Sequence, residues 1–167
     1  PREPGAMSDT RILTGDEVLA EGLDDWRFLM DSLHTRYATG DFATALRLVD
    51  RIGEAAEEAG HHPDLDLRYG RLHIRLMSHD VHGTTARDVR LARRISEIAA
   101  EEAVTAAPRE VRRVAVALDT PDREEVKPFW RAVLGLSDHP SSEVDLVDPD
   151  GRAPLFWFQG TDPHGEP

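Results

Sequence analysis

The stretch of sequence that decides the fold reads His61-His-Pro-Asp-Leu-Asp-Leu-Arg-Tyr-Gly-Arg-Leu-His-Ile-Arg-Leu-Met-Ser-His79. Leucine or isoleucine alternates with polar residues on both sides of Tyr69-Gly70, which is the period of a β-strand with one buried face. A two-residue loop that contains glycine commonly joins two such strands. The pattern therefore predicts a β-hairpin with its turn at Tyr69-Gly70.

The hydrophobic pattern also selects the register of this hairpin. With Tyr69-Gly70 as the loop, Leu67 lies opposite Leu72 and Leu65 lies opposite Ile74, all on one face. A register shifted by one residue would pair the leucines with polar residues instead. We therefore expect the first register.

This register brings histidines together at the open end of the hairpin. It places His61 opposite Ser78, the residue before His79. His61 and His79 are then separated by the ~5 Å spacing of neighbouring strands and an offset of one residue. Gly60 is expected to end the preceding helix, and Pro63 stiffens the chain that enters the hairpin. We expect two imidazoles that are distant in sequence to face one small pocket.

Helix signals lie on both sides of the hairpin. Thr14 and Glu17 have the spacing of a capping box, which predicts a short first helix. Apolar residues recur every three or four positions over residues 42–60 and again after Thr84-Thr85, which predicts two amphipathic helices. Residues 26–38 favour one or two short strands. The expected order is helix, two strands, helix, hairpin, helix.

A different pattern follows the last of these helices. Residues 105–110 are rich in small residues and proline, and are expected to be a linker between domains at 8–104 and 111–167. In the second domain we expect a strand, a helix over residues 123–134, and a hairpin with its turn at Asp148-Pro-Asp-Gly151. Residues 1–7 are expected to be the remnant of an expression tag.

The composition limits the classes of chemistry and partner. The 167 residues include no cysteine and carry a formal net charge of -12, which excludes thiolate chemistry and disfavours binding to nucleic acid. No segment approaches the ~18 consecutive apolar residues that span a bilayer, and no secretion signal is recognisable, so we expect a cytoplasmic protein without membrane association. Lys127 is the only lysine, which fits a bacterial genome of high GC content. Histidines and carboxylates must carry any reaction.

The hairpin and its surroundings resemble the pterin-4a-carbinolamine dehydratase family. The likeness rests on the spacing of Glu57, His61-His62-Pro63, Tyr69, His79 and Asp88, and extends to Trp26 and Gly40-Asp-Phe42. It implies an α+β fold, in which three helices cover one face of a four-stranded antiparallel sheet, and a homodimer or homotetramer. Gly83-Thr84-Thr85 departs from the usual glycine-leucine-threonine, and His82 replaces a small residue, which leaves the substrate preference open.

The resemblance implies that water is removed from 4a-hydroxytetrahydropterin to give quinonoid dihydropterin, without a metal or cofactor. This reaction needs a proton on the departing hydroxyl and removal of a proton from the adjacent ring nitrogen. Histidine titrates near ~6.5 and suits both tasks. We expect His61, His62 and His79 to be catalytic, with His61 and His79 transferring protons and His62 binding the pterin. Glu57 and Asp88 would orient imidazoles, and Pro63 and Trp26 would contact substrate.

The second domain resembles one βαβββ module of the glyoxalase and bleomycin-resistance (vicinal oxygen chelate) superfamily. The likeness lies in Phe129-Trp-Arg-Ala-Val-Leu-Gly135 and in Asp148-Pro-Asp-Gly151. Proteins of that superfamily build a site from two modules, and only one fits here. Ala115 and Ala117 stand where metal-binding members place histidine or glutamine, so we expect no metal site.

Other interpretations stay open. The chain could be a non-catalytic ligand-binding or regulatory module whose working part is the glyoxalase-like domain, or a fragment whose exposed sheet edge needs a partner. The histidine cluster, with His82, could instead bind a transition metal. His34, His73 and His139 are expected at the surface. The aromatic clusters at 129–130 and 156–158 are expected in a core.

Overall fold

A computed structural model describes residues 9–140 and 142–161, and the chain forms two compact units that divide between Val111 and Arg112. We call these the first unit and the second unit. Residues 1–7, which we expect to be a tag remnant, lie outside the described residues. Within the described ranges, no helix is both long enough and apolar enough to cross a membrane.

The first unit is a mixed α+β fold built on an antiparallel sheet, as the sequence predicts. Its elements are α1 (Gly15–Ala20), β1 (Arg27–Leu29), β2 (Ser32–Ala38), α2 (Phe42–Ala59), β3 (Asp64–Arg68), β4 (Arg71–Leu76), α3 (Ala86–Glu101) and β5 (Thr105–Ala106). The main strand order is β1-β2-β4-β3, and β5 pairs with the end of β2. This corrects two expectations, because the sheet has a fifth strand and residues 105–110 are not a separate linker. They contribute β5 to the sheet and a short 3-10 helix at Pro108–Glu110 to the first unit.

The hairpin has the expected register. Leu67 pairs with Leu72 and Leu65 pairs with Ile74, while Gly70 in the turn has a φ of 68°. Glycine adopts this left-handed conformation without the steric cost that most side chains impose. Leu72 and Ile74 are fully buried, whereas Leu65 is 36% exposed because β3 is the edge strand. The inner strand therefore anchors the hairpin in the core.

The ends of α2 and α3 place the two sides of the candidate site. The Asp41 carboxylate accepts a hydrogen bond from the Thr44 N–H at 2.7 Å and begins α2, and Gly60 ends this helix in the left-handed conformation. Thr85 caps α3 with its hydroxyl. The chain therefore leaves α2 at His61 and enters α3 three residues before Asp88.

The core of the first unit lies between the sheet and the helices. Its largest fully buried side chains come from β2, β4, α2 and α3, and include Leu33, Tyr37, Leu48, Ile52, Leu72, Ile74, Leu76, Ile95 and Ile98. Both ends of the hairpin segment are thus attached to packed elements.

His34 corrects one expectation, because it is buried and not at the surface. It is 1% exposed, and its ring stacks on His73 with ring centroids 5.5 Å apart. His34 lies in β2, which has a paired strand on each edge, so neighbouring side chains enclose it. Alternation along a strand assigns a residue to a face but does not show whether that face is open to solvent.

The second unit has one helix and a four-stranded sheet. Its elements are β6 (Ala115–Thr120), α4 (Arg123–Leu134), β7 (Ser137–Asp138), β8 (Asp145–Val147) and β9 (Leu155–Gly160). The strand order is β6-β9-β8-β7, with β6 parallel to β9 and the other pairs antiparallel.

The turn between β8 and β9 forms around Asp148, as expected. Its carboxylate accepts hydrogen bonds from the N–H groups of Ala153, Asp150 and Arg152. These hydrogen bonds hold the pKa of Asp148 below its usual range.

The aromatic cluster of the second unit is only partly a core. Trp130 stacks on Phe156, and Phe156 and Phe158 are buried, but Phe129 is 59% exposed. Neighbouring residues on an α-helix point about 100° apart, so only one of an adjacent pair faces the sheet. The expectation that Phe129 belongs to the core is therefore wrong.

Candidate active site

The centre of the candidate site is a buried pair between His61 and Asp88. The backbone N–H of His61 donates to Ala56 O at 3.1 Å, which fixes His61 against the end of α2. The residue is 8% exposed, and Nε2 of its ring lies 2.7 Å from Oδ1 of Asp88. Asp88 is fully buried in the first turn of α3. The pair therefore joins the end of one helix to the start of another.

Hydrogen bonds hold the other oxygen of the Asp88 carboxylate. Oδ2 accepts from Ser78 Oγ at 2.7 Å, from the Thr85 N–H at 2.8 Å and from Thr85 Oγ1 at 3.2 Å. A buried carboxylate is stable only when such partners replace its hydration. Since these donors fix the carboxylate, Oδ1 has a defined direction toward the imidazole.

This arrangement defines what the His61 ring can do. When Nε2–H donates to Asp88, Nδ1 carries the lone pair and is the proton acceptor. A carboxylate on the far side of an imidazole also stabilises the imidazolium that forms after proton uptake. The geometry therefore suits a general base whose orientation is set before substrate binds.

His62 and Glu57 form a second pair at the surface. His62 Nε2 lies 3.0 Å from Glu57 Oε1, and both side chains are exposed. Exposed pairs of this kind contribute about 0–1 kcal/mol, because water competes for both groups. The structure therefore holds His62 less firmly than His61. Pro63 follows it and is half-buried at the entry to β3.

His79 approaches the same region from the other strand of the hairpin. Its exposed ring places Nε2 3.9 Å from Oδ1 of Asp64, the first residue of β3. His79 also directly follows Ser78, whose hydroxyl binds Asp88. The structure thus brings His79 near the His61-to-Asp64 segment, although its side chain is more solvated than that of His61.

Trp26 is not part of this group. Its side chain is 3% exposed within the core, and its indole N–H donates to Ser96 Oγ at 3.1 Å. Ser96 lies about two helical turns, or ~12 Å, beyond Asp88 along α3. The structure therefore places Trp26 in the core and not beside His61.

Sequence reasoning did not identify Ser78 and Thr85 as parts of the site. Their hydroxyls lie 2.8 Å apart and both contact Asp88. The spacing of Thr85 and Asp88, which is that of a capping box, was the available signal. For Ser78 the signal was its place opposite His61 in the hairpin register, but its contact with Asp88 depends on the position of the loop between β4 and α3.

A cavity of about 440 Å³ lies beside His61, between α2 and α3. Its lining includes Arg87, Arg90 and Arg94 from α3 and Glu58 from α2. Neither His62 nor His79 lines it. In the part of the chain that the structure describes, no group of three or more histidine, aspartate or glutamate residues is placed to hold a metal ion.

Comparison with known proteins shows similarity over the first unit. The family model described as Pterin 4 alpha carbinolamine dehydratase matches residues 11–98. A protein of Nocardia farcinica named as a pterin-4-alpha-carbinolamine dehydratase is 42% identical over 93 residues, which cover 54% of this chain and 98% of that protein. One of Thermomicrobium roseum with the same name is 41% identical over 81 residues, covering 48% and 87%.

A solved structure shows the same similarity in three dimensions. The crystal structure of a transcriptional coactivator/pterin dehydratase from Brucella melitensis superposes with a TM-score of 0.51 at 28% sequence identity. The match covers 53% of this chain and 99% of the Brucella chain.

Proposed function

This chain belongs to the pterin 4 alpha carbinolamine dehydratase family, and we propose that it dehydrates 4a-hydroxytetrahydropterin by acid–base catalysis through His61, His62 and His79. The family and its relatives support a dehydratase, which is a hydro-lyase. The residues that carry the reaction are our assignment. The observation that supports it best is the buried contact of 2.7 Å between His61 and Asp88.

The reaction breaks the bond between C4a and its hydroxyl oxygen, releases water and removes the proton on the adjacent ring nitrogen. We assign proton removal to Nδ1 of His61, because Asp88 stabilises the resulting imidazolium. We assign protonation of the departing hydroxyl to His79, whose exposed ring can regain its proton from water. His62, held by Glu57, and Pro63 would orient the pterin ring. Trp26 would act indirectly, by supporting α3 through Ser96.

The direct experiment measures the decay of 4a-hydroxytetrahydropterin with and without purified protein. Acceleration in proportion to protein concentration is expected, and the product should be quinonoid dihydropterin. Binding of the pterin with no acceleration would instead favour the regulatory alternative. Decay at the spontaneous rate without pterin binding would contradict both.

For the second unit we propose a glyoxalase-like half module at residues 111–167, which follows the dehydratase domain and residues 105–110 in the sequence. The order of strand, helix and three strands supports this proposal. Val114 and Val116, near the start of this module, are exposed, as are Phe129 and Val133 of α4. These apolar side chains are consistent with a module that pairs with another.

We further propose that the protein is a cytoplasmic homodimer or homotetramer. Native mass spectrometry of the intact protein tests the assembly, because it reports the number of chains directly. A monomer at micromolar concentration would contradict the proposal. Fractionation of the source cells tests the location.

A further inference from the structure

The cavity beside His61 has a wall of arginines. Arg87, Arg90 and Arg94 line it, and their spacing of three and four residues puts them on one face of α3. The volume, about 440 Å³, is within the ~300–1,000 Å³ range of small-molecule sites. It is larger than a single small anion needs.

The charge of this wall is opposite to that of the protein as a whole. Three guanidinium groups and one carboxylate, that of Glu58, line the cavity, whereas the chain carries a formal net charge of -12. The guanidinium groups that face the cavity can attract an anion there, although a carboxylate outside the lining also pairs with each of them. Leu91 and two alanines supply an apolar part of the lining.

The existing partners of the arginines leave donors available. Arg87 Nη2 lies 2.6 Å from Asp80, and Arg90 Nη1 lies 3.0 Å from Asp9. Arg94 Nη1 lies 3.1 Å from Glu97 and 3.6 Å from Glu101. None of these carboxylates lines the cavity. Each of these contacts uses one nitrogen of a guanidinium that has five N–H donors. The pairs of Arg90 and Arg94 are half-exposed, and such pairs are worth only about 0–1 kcal/mol.

We propose that this cavity binds an anionic group, a carboxylate or a phosphate, on the side chain of the pterin. Arginine binds both groups through paired N–H donors. His61 lines the same cavity, so a pterin whose ring meets His61 can extend its side chain toward Arg90 and Arg94. The inference rests on the proposed function, and it names the substrate class as pterins with an anionic side chain.

Direct binding of stable pterins tests the inference without turnover. Fluorescence titration would compare 6-hydroxymethylpterin, which is neutral, with its phosphate ester and with 6-carboxypterin. The variant is R90Q/R94Q, which removes two cavity arginines and leaves the residue next to Asp88 unchanged. The control is R93Q, because Arg93 lies on the same helix but binds Glu21 and does not line the cavity.

We expect the wild-type protein to bind at least one of the anionic pterins about tenfold more tightly than the alcohol, as a charge-assisted contact allows. R90Q/R94Q should abolish the difference with little effect on the alcohol, and R93Q should retain it. Equal affinities in the wild type, or equal losses for all three pterins in R90Q/R94Q, would overturn the inference. So would an affinity for inorganic phosphate as high as that for the ester, because the pterin ring would then contribute nothing.

Turnover separates this inference from the proposed function. If the neutral 4a-hydroxytetrahydropterin is dehydrated but anionic pterins bind no better, only the inference fails. If no pterin is dehydrated but the anionic preference depends on Arg90 and Arg94, the dehydratase assignment fails and the anion site stands.

Discussion

Nε2 of His61 lies 2.7 Å from Oδ1 of Asp88, and this contact joins residues 27 positions apart in the sequence. One partner follows the end of α2 and the other lies in the first turn of α3. Because the Asp88 carboxylate also binds Ser78 and Thr85, it connects the candidate base to the hairpin and to the cap of α3. Stability and chemistry therefore depend on the same buried group.

Substitution Asp88→Asn should lower both stability and activity. An amide has one oxygen and one NH₂, so it can accept from Thr85 or from His61 but not from both in the same way. We expect a loss of about 1–3 kcal/mol in the free energy of unfolding, measured by urea denaturation, and at least a tenfold loss of kcat. Asp41→Asn is the matched control, because asparagine is as good an exposed N-cap as aspartate. Equal effects of the two substitutions would contradict the role of Asp88.

Substitution Glu57→Gln should have a small effect. Glu57 and His62 are exposed, and a neutral amide oxygen can still accept a hydrogen bond from the imidazole. We expect a change in unfolding free energy within about 0.5 kcal/mol, and a loss of activity well below that of Asp88→Asn. Parallel urea unfolding and turnover assays measure both. A loss equal to that of Asp88→Asn would show that the surface pair matters as much as the buried one.

The turn of the hairpin can be tested with two glycines. Gly70 has a φ of 68°, and a Cβ there would lie 3.2 Å from Gly40 O. Gly70→Ala should therefore destabilise the protein by about 1–2 kcal/mol in urea unfolding. Gly53→Ala is the control, since Gly53 lies inside α2 and an added Cβ would have no atom within 4 Å outside the neighbouring residues and the local helix backbone. This second substitution should stabilise the protein by about 0.5–1 kcal/mol. If Gly53→Ala proved less stable than Gly70→Ala, the turn would be wrongly assigned.

Tyr37 should make the protein sensitive to alkali. Burial raises the pKa of Tyr37 from 10.0 to about 12. The fold favours the neutral phenol, so this contribution to stability is complete below pH 10 and is lost as the pH rises through about 12. Between these pH values, the unfolding free energy of Tyr37→Phe should fall by about 1–3 kcal/mol less than that of the wild type. Tyr69→Phe, at a residue 81% exposed, should follow the wild type. If the unfolding free energies of both variants depended on pH in the same way, the prediction would be contradicted.

Local patterns in the sequence predicted most of the first unit. The capping box at Thr14 and Glu17, the glycine at the end of α2 and the leucine pattern around Tyr69-Gly70 each depend on a few neighbouring residues. The register followed from the same leucines, because a shift by one residue would expose them. The same register predicts that His61 and His79 face one small pocket, but of the two only His61 lines the cavity between α2 and α3.

Other features depend on distant contacts and left little sign in the sequence. β5 consists of Thr105 and Ala106, which are too few to show a period, and it forms only by pairing with β2. The burial of His34 depends on the strands on both sides of β2. The arginines of α3 look like an ordinary solvated helix face until α2 is placed beside them.

The most direct measurement is the rate of 4a-hydroxytetrahydropterin dehydration by the wild-type protein and by His61→Ala and His79→Ala, each shown to be folded by circular dichroism. His82→Asn, at an exposed residue with a φ of 52° that asparagine tolerates, is the control. We predict that His61→Ala and His79→Ala each lose about 10²-fold or more in kcat, while the control keeps the wild-type rate. Wild-type rates in both folded variants would contradict histidine catalysis at this site.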